Sequence, residues 1–423
     1  MKNNKDIYHE NGSLLTRRKD NQQWILNYLI KATGRTHAYE IDGRFLPDGV
    51  ANHQQIYAAC YKKASAMERL ARQCEGNGDT MTARDIYHAA AAIYHLGQHS
   101  IFTDKDPNKA IIHRRVEECY DRICEINDYP LEKVEIPFES SYIQGLFHML
   151  PGRPKAPTLL FLPGMDMCKE TGIDPANNPF LKRGFNVLVI DGPGQGMSNL
   201  RGIKIDHDSY ERAVSECVTW LLQRPEVDGE KIGSIGFSFG TFMNARAFAK
   251  DKRLKAAGGL AACYCTKDRT LAENFETDGL RSKQVIMYMC GYEDEVEFDK
   301  FAKTMHHEDH MPLIDRPFLL TNGEFDPVSP LSDTERLFDM IQGPKEMWVF
   351  EDAYHSGVRE NLSNLGNVPP TLFVIDWLKK ALDGKLPDDL NVKRFIPKKP
   401  GFGCYGHIVD NFGLKTRLPL EFD

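Results

Sequence analysis

The pattern of apolar and polar positions changes near residue 130 and divides the chain into two parts. Over residues 22–128 apolar side chains recur at helical spacing, interrupted by a Gly-rich turn and by a proline placed to begin a helix. This pattern predicts a helical domain over residues 21–129, preceded by a flexible polar terminus at residues 1–20. The predicted helices after the first are residues 56–74, 80–100 and 107–126.

Beyond residue 129 the periodicity is that of strands. An alternating hairpin at residues 134–150 is followed by short apolar runs that alternate with helical segments. This order is typical of a mostly parallel sheet with helices on both faces, so we predict an α/β fold over residues 130–386. The predicted strands are residues 158–162, 185–190, 232–237, 256–262, 317–321 and 346–350, and the predicted helices are residues 210–223, 241–249, 331–341 and 370–382.

Two segments depart from this alternation. Residues 265–315 separate two predicted strands by a distance too long for a simple connection, so we interpret them as an insertion over the sheet. Residues 387–423 are rich in proline, glycine and aromatic side chains. We expect them to form a C-terminal extension, either a packed strap or a mobile end.

Composition excludes several classes of protein. Hydrophobic residues make up 41% and charged residues 27%, which is typical of a globular protein, and the net charge of -7 argues against a nucleic-acid partner. We find no apolar run that predicts secretion or a membrane span, so we expect a cytoplasmic protein with no membrane partner. The ten cysteines lack C-x-x-C spacing and are expected to be reduced.

The candidate nucleophile is Ser238, in the sequence Gly236-Phe-Ser-Phe-Gly240. This is the pattern G-x-S-x-G, in which a serine occupies a strained turn between a strand and a helix. The preceding residues predict a buried strand and the following ones a buried helix, as that turn requires. An activated serine also needs a base, an acid that orients the base, and backbone donors for the oxyanion.

Candidates for the base and the acid follow two late strands, in the order Ser, Asp, His. Asp326 comes directly after a predicted strand, and Glu324 is the alternative acid. His355 follows the next strand and precedes Gly357, which leaves room for a loop that brings its imidazole to Ser238. An ordinary turn-capping role for Asp326 is the competing interpretation.

The oxyanion donors are predicted to be two backbone N–H groups. One belongs to Phe239, at the start of a helix, and the other to Met165, in the loop after the first parallel strand. Asp166 and Glu170 in or near this loop are unexpected, because carboxylates oppose the developing charge unless they are protonated or turn outward. We predict that they bind substrate or act as an acid.

Two further motifs are interpreted as structural. Residues 191–198 contain the glycines of a phosphate loop but lack the lysine and hydroxyl of a Walker sequence, so we predict a tight turn after a strand. Residues 306–310 hold three histidines, but neighbours on a helix do not all face one way. We therefore interpret the histidine cluster as a solvated charged face and predict no metal site there.

Taken together, these motifs resemble the α/β-hydrolase superfamily. The resemblance rests on Gly164-Met-Asp, Lys169-Glu170, Asp191-Gly-Pro-Gly-Gln-Gly196, the serine motif and the two late loops. Within the superfamily the chain is similar to 2,6-dihydroxypseudooxynicotine hydrolase, to fungal hydrolases that shorten polyketides, and to the fermentation-respiration switch protein group. The resemblance implies a Ser-Asp-His triad under a helical lid, no metal or other cofactor, a homodimer, and an acidic residue lining the pocket at Asp166.

Our hypothesis from the sequence is a cofactor-independent serine hydrolase with a small-molecule carbonyl substrate. The resemblance implies cleavage of a carbon–carbon bond next to a ketone, or of an ester, in a medium-sized aromatic or polyketide-like molecule. The alternatives are a carboxylesterase for small esters and a catalytically silent hydrolase fold that binds a ligand. The complete set of triad candidates argues against the silent fold.

Overall fold

The computed structural model describes residues 47, 50, 55–103, 105–278, 280–351, 353, 355, 370–396, 407–409 and 415–417. The predicted flexible terminus and the first predicted helix therefore lie outside the described residues.

The helical part consists of three long helices that pack against one another. They are α1 (Ile56–Gly76), α2 (Thr80–His99) and α3 (Pro107–Ile126). Small and aromatic side chains such as Ala64, Ala90 and Tyr94 fill the space between them and are fully buried. Pro107 at the first position of α3 costs no hydrogen bond there, because the first N–H groups of a helix have no partner within it.

The second part is built on one twisted sheet of nine strands in the order β1-β2-β4-β3-β5-β6-β7-β8-β9. Strands β1, β2 and β4 pair in antiparallel fashion, and all other neighbours in the sheet are parallel. The strands are β1 (Leu131–Phe138), β2 (Ser141–His148), β3 (Ala156–Leu162), β4 (Asn186–Ile190), β5 (Val227–Phe237), β6 (Ala256–Leu260), β7 (Phe318–Gly323), β8 (Lys345–Phe350) and β9 (Asn391–Ile396).

Helices cover both faces of this sheet, which confirms the predicted α/β-hydrolase fold. They are α4 (Gly196–Leu200), α5 (Ser209–Leu222), α6 (Phe239–Lys250), α7 (Leu271–Asp278), α8 (Leu280–Cys290), α9 (Glu295–Ala302), α10 (Leu331–Met340) and α11 (Pro370–Leu382). Helices α7, α8 and α9 all lie in the segment that the sequence predicts as an insertion.

Alternate residues of the strands face two separate cores. Leu160 and Leu162 belong to the core that also contains the buried faces of α1, α2 and α3. Leu159 and Phe161 face the opposite core, which includes the buried side of α11. Because successive side chains of a strand point to opposite faces, one strand joins both cores, and the helical part shares its core with the sheet.

Part of the C-terminal segment continues the central sheet. Asn391–Ile396 form β9, which pairs in parallel with β8 and extends the central sheet beyond residue 386. Lys393 and Arg394 in this edge strand are only half-buried, so the strand lacks the continuous apolar run that marked the other parallel strands. Strands β10 (His407–Val409) and β11 (Lys415–Arg417) form a separate antiparallel pair.

Among the helices that the structure describes, none combines the length and the apolar character that a membrane crossing requires.

Candidate active site

Ser238 occupies a strained turn between the central strand β5 and helix α6. Its backbone has φ of 50° and ψ of -118°, a conformation that residues other than glycine rarely adopt. The Ser238 N–H donates to the Leu260 carbonyl at 2.9 Å, which fixes the turn to the end of β6. The turn therefore presents the serine at the carboxyl ends of the parallel strands.

The two glycines of the motif are required by the close packing of this turn. A Cβ atom at Gly236 would lie 2.5 Å from the Gly240 carbonyl oxygen. One at Gly240 would lie only 2.0 Å from the carbonyl oxygen of Leu162, at the end of the neighbouring strand β3. In both cases the added Cβ atom would overlap a backbone atom. No change of side-chain rotamer relieves such an overlap, so residues other than glycine do not fit at these two positions.

The predicted nucleophile, base and acid lie in one hydrogen-bonded row. Ser238 Oγ is 2.6 Å from His355 Nε2, and His355 Nδ1 is 2.8 Å from Asp326 Oδ2. Asp326 is only 3% exposed, and its Oδ1 accepts hydrogen bonds from the N–H groups of Val328 at 2.9 Å and Ser329 at 3.3 Å. A carboxylate held in this way favours the His355 tautomer that carries its proton on Nδ1. The other ring nitrogen is then ready to accept the Ser238 proton.

This geometry also bears on the alternative acid. The bond from His355 to Asp326 favours Asp326 over Glu324, whose N–H donates to the Phe350 carbonyl at 3.0 Å. The loops after β7 and β8 bring Asp326 and His355 to the same sheet edge as Ser238, since β7 and β8 are parallel to β5.

The two predicted oxyanion donors lie on adjacent loops. Phe239 opens α6, where the first N–H groups have no acceptor within the helix. Met165 lies in the segment of residues 163–166 after β3, which we call the oxyanion loop. A Cβ atom at Gly164 in this loop would lie 3.2 Å from the Phe237 carbonyl oxygen, so the loop packs directly on the turn that holds Ser238.

The two predicted substrate-binding carboxylates differ in their surroundings. Asp166 is half-buried in the oxyanion loop. Glu170 is completely buried, its carboxylate lies 2.6 Å from Lys169 Nζ, and its backbone carbonyl accepts the Tyr120 hydroxyl. The structure thus places Glu170 inside an ion cluster, which argues against the substrate contact that the sequence predicted for it.

That ion cluster joins the loops after β3 and β4 to the helical domain. Besides Glu170, Lys169 Nζ lies 3.0 Å from Asp191 Oδ2 and 3.2 Å from Glu117 Oε1 of α3. Asp191 also accepts the N–H groups of Lys169 at 2.8 Å and Met197 at 2.9 Å. Sequence reasoning placed Asp191 in a turn but missed the cluster, whose members are separated by up to 74 residues along the chain.

The three buried charges respond differently to their burial. Burial raises the pKa of the Glu170 carboxyl, against the opposing effect of Lys169. Burial disfavours the charged form of Asp191 as well, but Lys169 and two backbone N–H groups hold its pKa below the usual range. Burial likewise opposes the charge on Lys169, yet Asp191 and Glu170 raise its pKa well above normal. The surroundings of the cluster therefore favour the charged forms of Lys169 and Asp191 and disfavour that of Glu170.

A narrow cavity of about 30 Å³ lies beside the oxyanion loop, which is room for roughly one water molecule. Met165 of the loop, Phe102 after α2, and Val285 and Tyr288 of α8 are among the residues that line it. The helical domain and the insertion thus meet at this point, as a lid formed by both would require.

The prediction that residues 306–310 form a solvated face is wrong for two of the three histidines. His307 is fully buried and His310 is 6% exposed. His307 Nδ1 accepts the Cys265 N–H at 3.0 Å, and its Nε2 lies 3.1 Å from the Phe242 carbonyl oxygen of α6. The histidine supports the helix behind Ser238. Within the described part of the chain, no group of His, Cys, Asp and Glu side chains is arranged to hold a metal.

Comparison with known families gives two matches. Residues 51–278 match the family described as Esterase FrsA-like, and residues 173–385 match the prolyl oligopeptidase family.

Curated relatives include fungal and bacterial hydrolases. Hydrolase pyiE of Pyricularia grisea is 28% identical over 47% of this chain and 47% of its own length. The 20-hydroxy-prefusarin hydrolase FUS2 of Gibberella moniliformis is 28% identical over 47% of this chain and 50% of its own. Esterase FrsA of Vibrio cholerae is 26% identical over 74% of this chain and 72% of its own. The chain thus spans about half the length of the two fungal relatives.

Among solved structures, that of 2,6-dihydroxy-pseudo-oxynicotine hydrolase superposes with a TM-score of 0.69. It is 21% identical and covers 87% of this chain and 98% of its own. At this level of identity the likeness concerns the fold alone.

The packing of the serine turn predicts that Gly240→Ala destabilises the protein. The added methyl group would overlap the Leu162 carbonyl, so we expect a loss of about 3 kcal/mol or more in the free energy of unfolding. Gly76→Ala is the control, because nothing lies within 4 Å of its Cβ position. We expect that change to be neutral or stabilising. Urea unfolding measures both, and wild-type stability in Gly240→Ala would contradict the packing argument.

The ion cluster predicts a pH-dependent cost for Lys169→Met. Removing the Lys169 ammonium leaves buried Asp191 without its cationic partner, so we expect a loss of about 3–5 kcal/mol near pH 7. The carboxyls that lose Lys169 then have raised pKa values and recover by taking up protons. The difference from wild type should therefore shrink on acidification, by up to about 1.4 kcal/mol per pH unit for each carboxyl.

In wild type the Asp191 carboxyl has the opposite dependence, because its lowered pKa makes its contribution disappear in acid. Lys231→Met is the control, since Lys231 pairs with Asp383 at the surface, and it should change stability little. A pH-independent loss in Lys169→Met, measured by urea unfolding at several pH values, would contradict the assignment.

Proposed function

The chain belongs to the FrsA-like esterase family and, through residues 173–385, to the prolyl oligopeptidase family, both within the α/β-hydrolase superfamily; from this premise we propose that it is a cofactor-independent serine hydrolase that attacks a carbonyl group. One observation carries the proposal. Ser238 Oγ, on a strained turn, lies 2.6 Å from the imidazole of His355, which is itself held by buried Asp326. A serine with a purely structural role does not require a strained backbone or a histidine held by a buried carboxylate.

The proposed reaction proceeds through two tetrahedral intermediates. His355 Nε2 takes the Ser238 proton as Oγ attacks the carbonyl carbon, and Asp326 stabilises the imidazolium that forms. The N–H groups of Phe239 and Met165 stabilise the oxyanion, and one such donor contributes about 10²–10³ in rate. Collapse of the intermediate releases the leaving group, which takes the proton from His355. Neutral His355 then takes a proton from water as the water attacks the acyl-enzyme, and returns it to Ser238 Oγ when the acid product leaves.

For the bond that is cleaved, we propose a carbon–carbon bond next to a ketone in a medium-sized aromatic or polyketide-like molecule. One relative and one structural neighbour support this substrate class, since the first acts on 20-hydroxy-prefusarin and the second on 2,6-dihydroxy-pseudo-oxynicotine. The aromatic and thioether side chains beside the oxyanion loop are suited to such a molecule. Ester hydrolysis is the second candidate, favoured by the family that the chain belongs to.

We also propose that the helical domain and the insertion act together as a lid. Both contribute side chains to the cavity beside Met165, and water excluded from that space strengthens the electrostatic stabilisation of the oxyanion. A substrate larger than one water molecule requires these lining side chains to move apart. The protein is further proposed to be a cytoplasmic homodimer with a small-molecule substrate.

The triad is tested by substitution. We expect Ser238→Ala, His355→Ala and Asp326→Asn each to lower kcat by about 10³-fold or more, with no additive loss in combination, because the three act as a unit. The measurement is turnover of a panel of aryl ketones, β-diketones and aryl esters, with products identified by mass. Glu324→Gln is the matched control from the same loop. If Glu324→Gln were inactive and Asp326→Asn active, the acid would be Glu324.

Asp166 is proposed to face the substrate and to assist proton transfer to a carbon leaving group. Asp166→Asn keeps the size of the side chain but removes its charge, so kcat should fall by about 10²–10⁴-fold with little change in melting temperature. The loss should be larger for a ketone than for an activated ester, since a phenolate needs no proton to leave.

Asp174→Asn provides the control, because Asp174 caps a turn by accepting the Ala176 N–H at 2.8 Å. It should leave kcat unchanged. Equal losses on ketone and ester in Asp166→Asn would limit Asp166 to a positioning role, and no loss on either would exclude it from the reaction.

A further inference from the structure

Gln195 is a buried side chain that binds the backbone of the oxyanion loop. Its Nε2 donates to the carbonyl oxygens of Pro163 at 3.1 Å and Gly164 at 2.8 Å. Its Oε1 accepts the hydroxyl of buried Tyr210 at 2.7 Å. Because a carboxamide has one end that donates and one that accepts, the Tyr210 bond directs the Nε2 end at the loop.

These bonds determine where the N–H groups of the loop point. In a planar trans peptide the C=O of one residue and the N–H of the next point in opposite directions. The Gly164 carbonyl points at Gln195, so the Met165 N–H on the same peptide points away from Gln195. The bond from Gln195 to the Pro163 carbonyl fixes the direction of the Gly164 N–H in the same way.

The segment that carries Gln195 is itself tightly packed. Gly194 and Gly196 on either side have φ of 79° and 38°, and a Cβ atom at Gly194 would lie 2.9 Å from the Met289 carbonyl oxygen of α8. A Cβ atom at Gly196 would lie 2.2 Å from Asp191 of the ion cluster. Gln195 is therefore held in place by the insertion on one side and by the cluster on the other.

His95 of α2 binds a third carbonyl of the loop, that of Asp166. Its Nε2 lies 2.9 Å from the Asp166 carbonyl oxygen, and its Nδ1 lies 2.9 Å from Gln98 Nε2. An amide nitrogen only donates, so His95 Nδ1 is the acceptor of this bond. The ring then carries its proton on Nε2, which donates to the backbone carbonyl of Asp166. Three of the four carbonyls in residues 163–166, those of Pro163, Gly164 and Asp166, are thus bound by side chains from two other parts of the chain.

We infer that Gln195 and His95 are positioning residues that orient the oxyanion loop so that the Met165 N–H stabilises the transition state. The inference rests on the proposed function, because it assigns a role in the reaction of Ser238. The loop contains no helix or strand, and the Gly164 carbonyl also accepts the Met167 N–H at 3.1 Å in a turn. Gln195 adds the side-chain bonds that hold this peptide and the one before it, and a rotation of the Gly164–Met165 peptide would turn the donor away. Gln195 belongs to the sheet domain and His95 to the helical domain. The orientation of the Met165 N–H therefore depends on contact between the two domains.

The test compares Gln195→Met with Asn186→Leu. Both remove a buried amide that donates to a backbone carbonyl; Asn186 Nδ2 donates to the Glu226 carbonyl at 2.8 Å, at the amino end of β4 and away from the catalytic loops. The readouts are kcat and KM on an activated aryl ester, and the inhibition constant of an aryl trifluoromethyl ketone. Ser238 adds to this ketone to give a tetrahedral adduct whose oxyanion needs the same donors.

We expect Gln195→Met to lower kcat by about 10²–10³-fold and to raise the inhibition constant by a similar factor, with KM changed by less than about threefold. Asn186→Leu should lower the melting temperature and leave kcat and the inhibition constant near wild type. If Gln195→Met behaved like Asn186→Leu, with lower stability and unchanged kinetics, the inference would be overturned.

His95 provides a second and milder test. His95→Phe keeps an aromatic ring beside His99 but loses the donor, so kcat should fall by up to about tenfold. His95→Gln offers an amide donor in its place and should restore kcat, which a purely structural role would not require. Equal kcat values in the two variants would overturn the part assigned to His95. A wild-type protein that neither hydrolyses the ester nor binds the ketone would instead overturn the proposed function, and the inference with it.

Discussion

The close approach of Gly240 to the Leu162 carbonyl is the constraint on which the site depends. It brings the start of α6 against the end of β3, so that the turn holding Ser238 and the oxyanion loop share one surface. A strained backbone at Ser238 persists only because the surrounding strands and helix leave no alternative. The serine, its base and the two proposed oxyanion donors are then placed by sheet geometry, since each follows the carboxyl end of a parallel strand.

The segment after β3 is also where the two parts of the protein meet. His95 and Tyr120 of the helical domain bind the backbone carbonyls of Asp166 and Glu170, and Glu170 is itself a member of the Lys169 cluster. Backbone contacts of this kind do not depend on the side chains that face the substrate. The helical domain therefore contributes to the shape of the site as well as to its cover, and substrate preference can vary without loss of the framework.

Much of this arrangement could be predicted because it is local in the sequence. The G-x-S-x-G turn, the apolar runs of the inner strands, and the helices around Pro107 each follow from short-range patterns. Contacts between distant segments could not be predicted in this way. Strand β9 is half-exposed and shows no apolar run. His307 is buried against α6, and Glu170 belongs to a cluster that Lys169 forms with residues far along the chain.

The central claim is that Ser238 is an activated nucleophile, and covalent labelling tests it most directly. A fluorophosphonate reacts with a serine whose proton is taken by a neighbouring base and whose oxyanion is stabilised. Incubation of the native protein should add one phosphonyl group per chain, seen by intact mass, and peptide mapping should locate it on Ser238. The adduct should be absent from Ser238→Ala. An unmodified wild-type mass after prolonged incubation, or a label on another residue, would contradict the account.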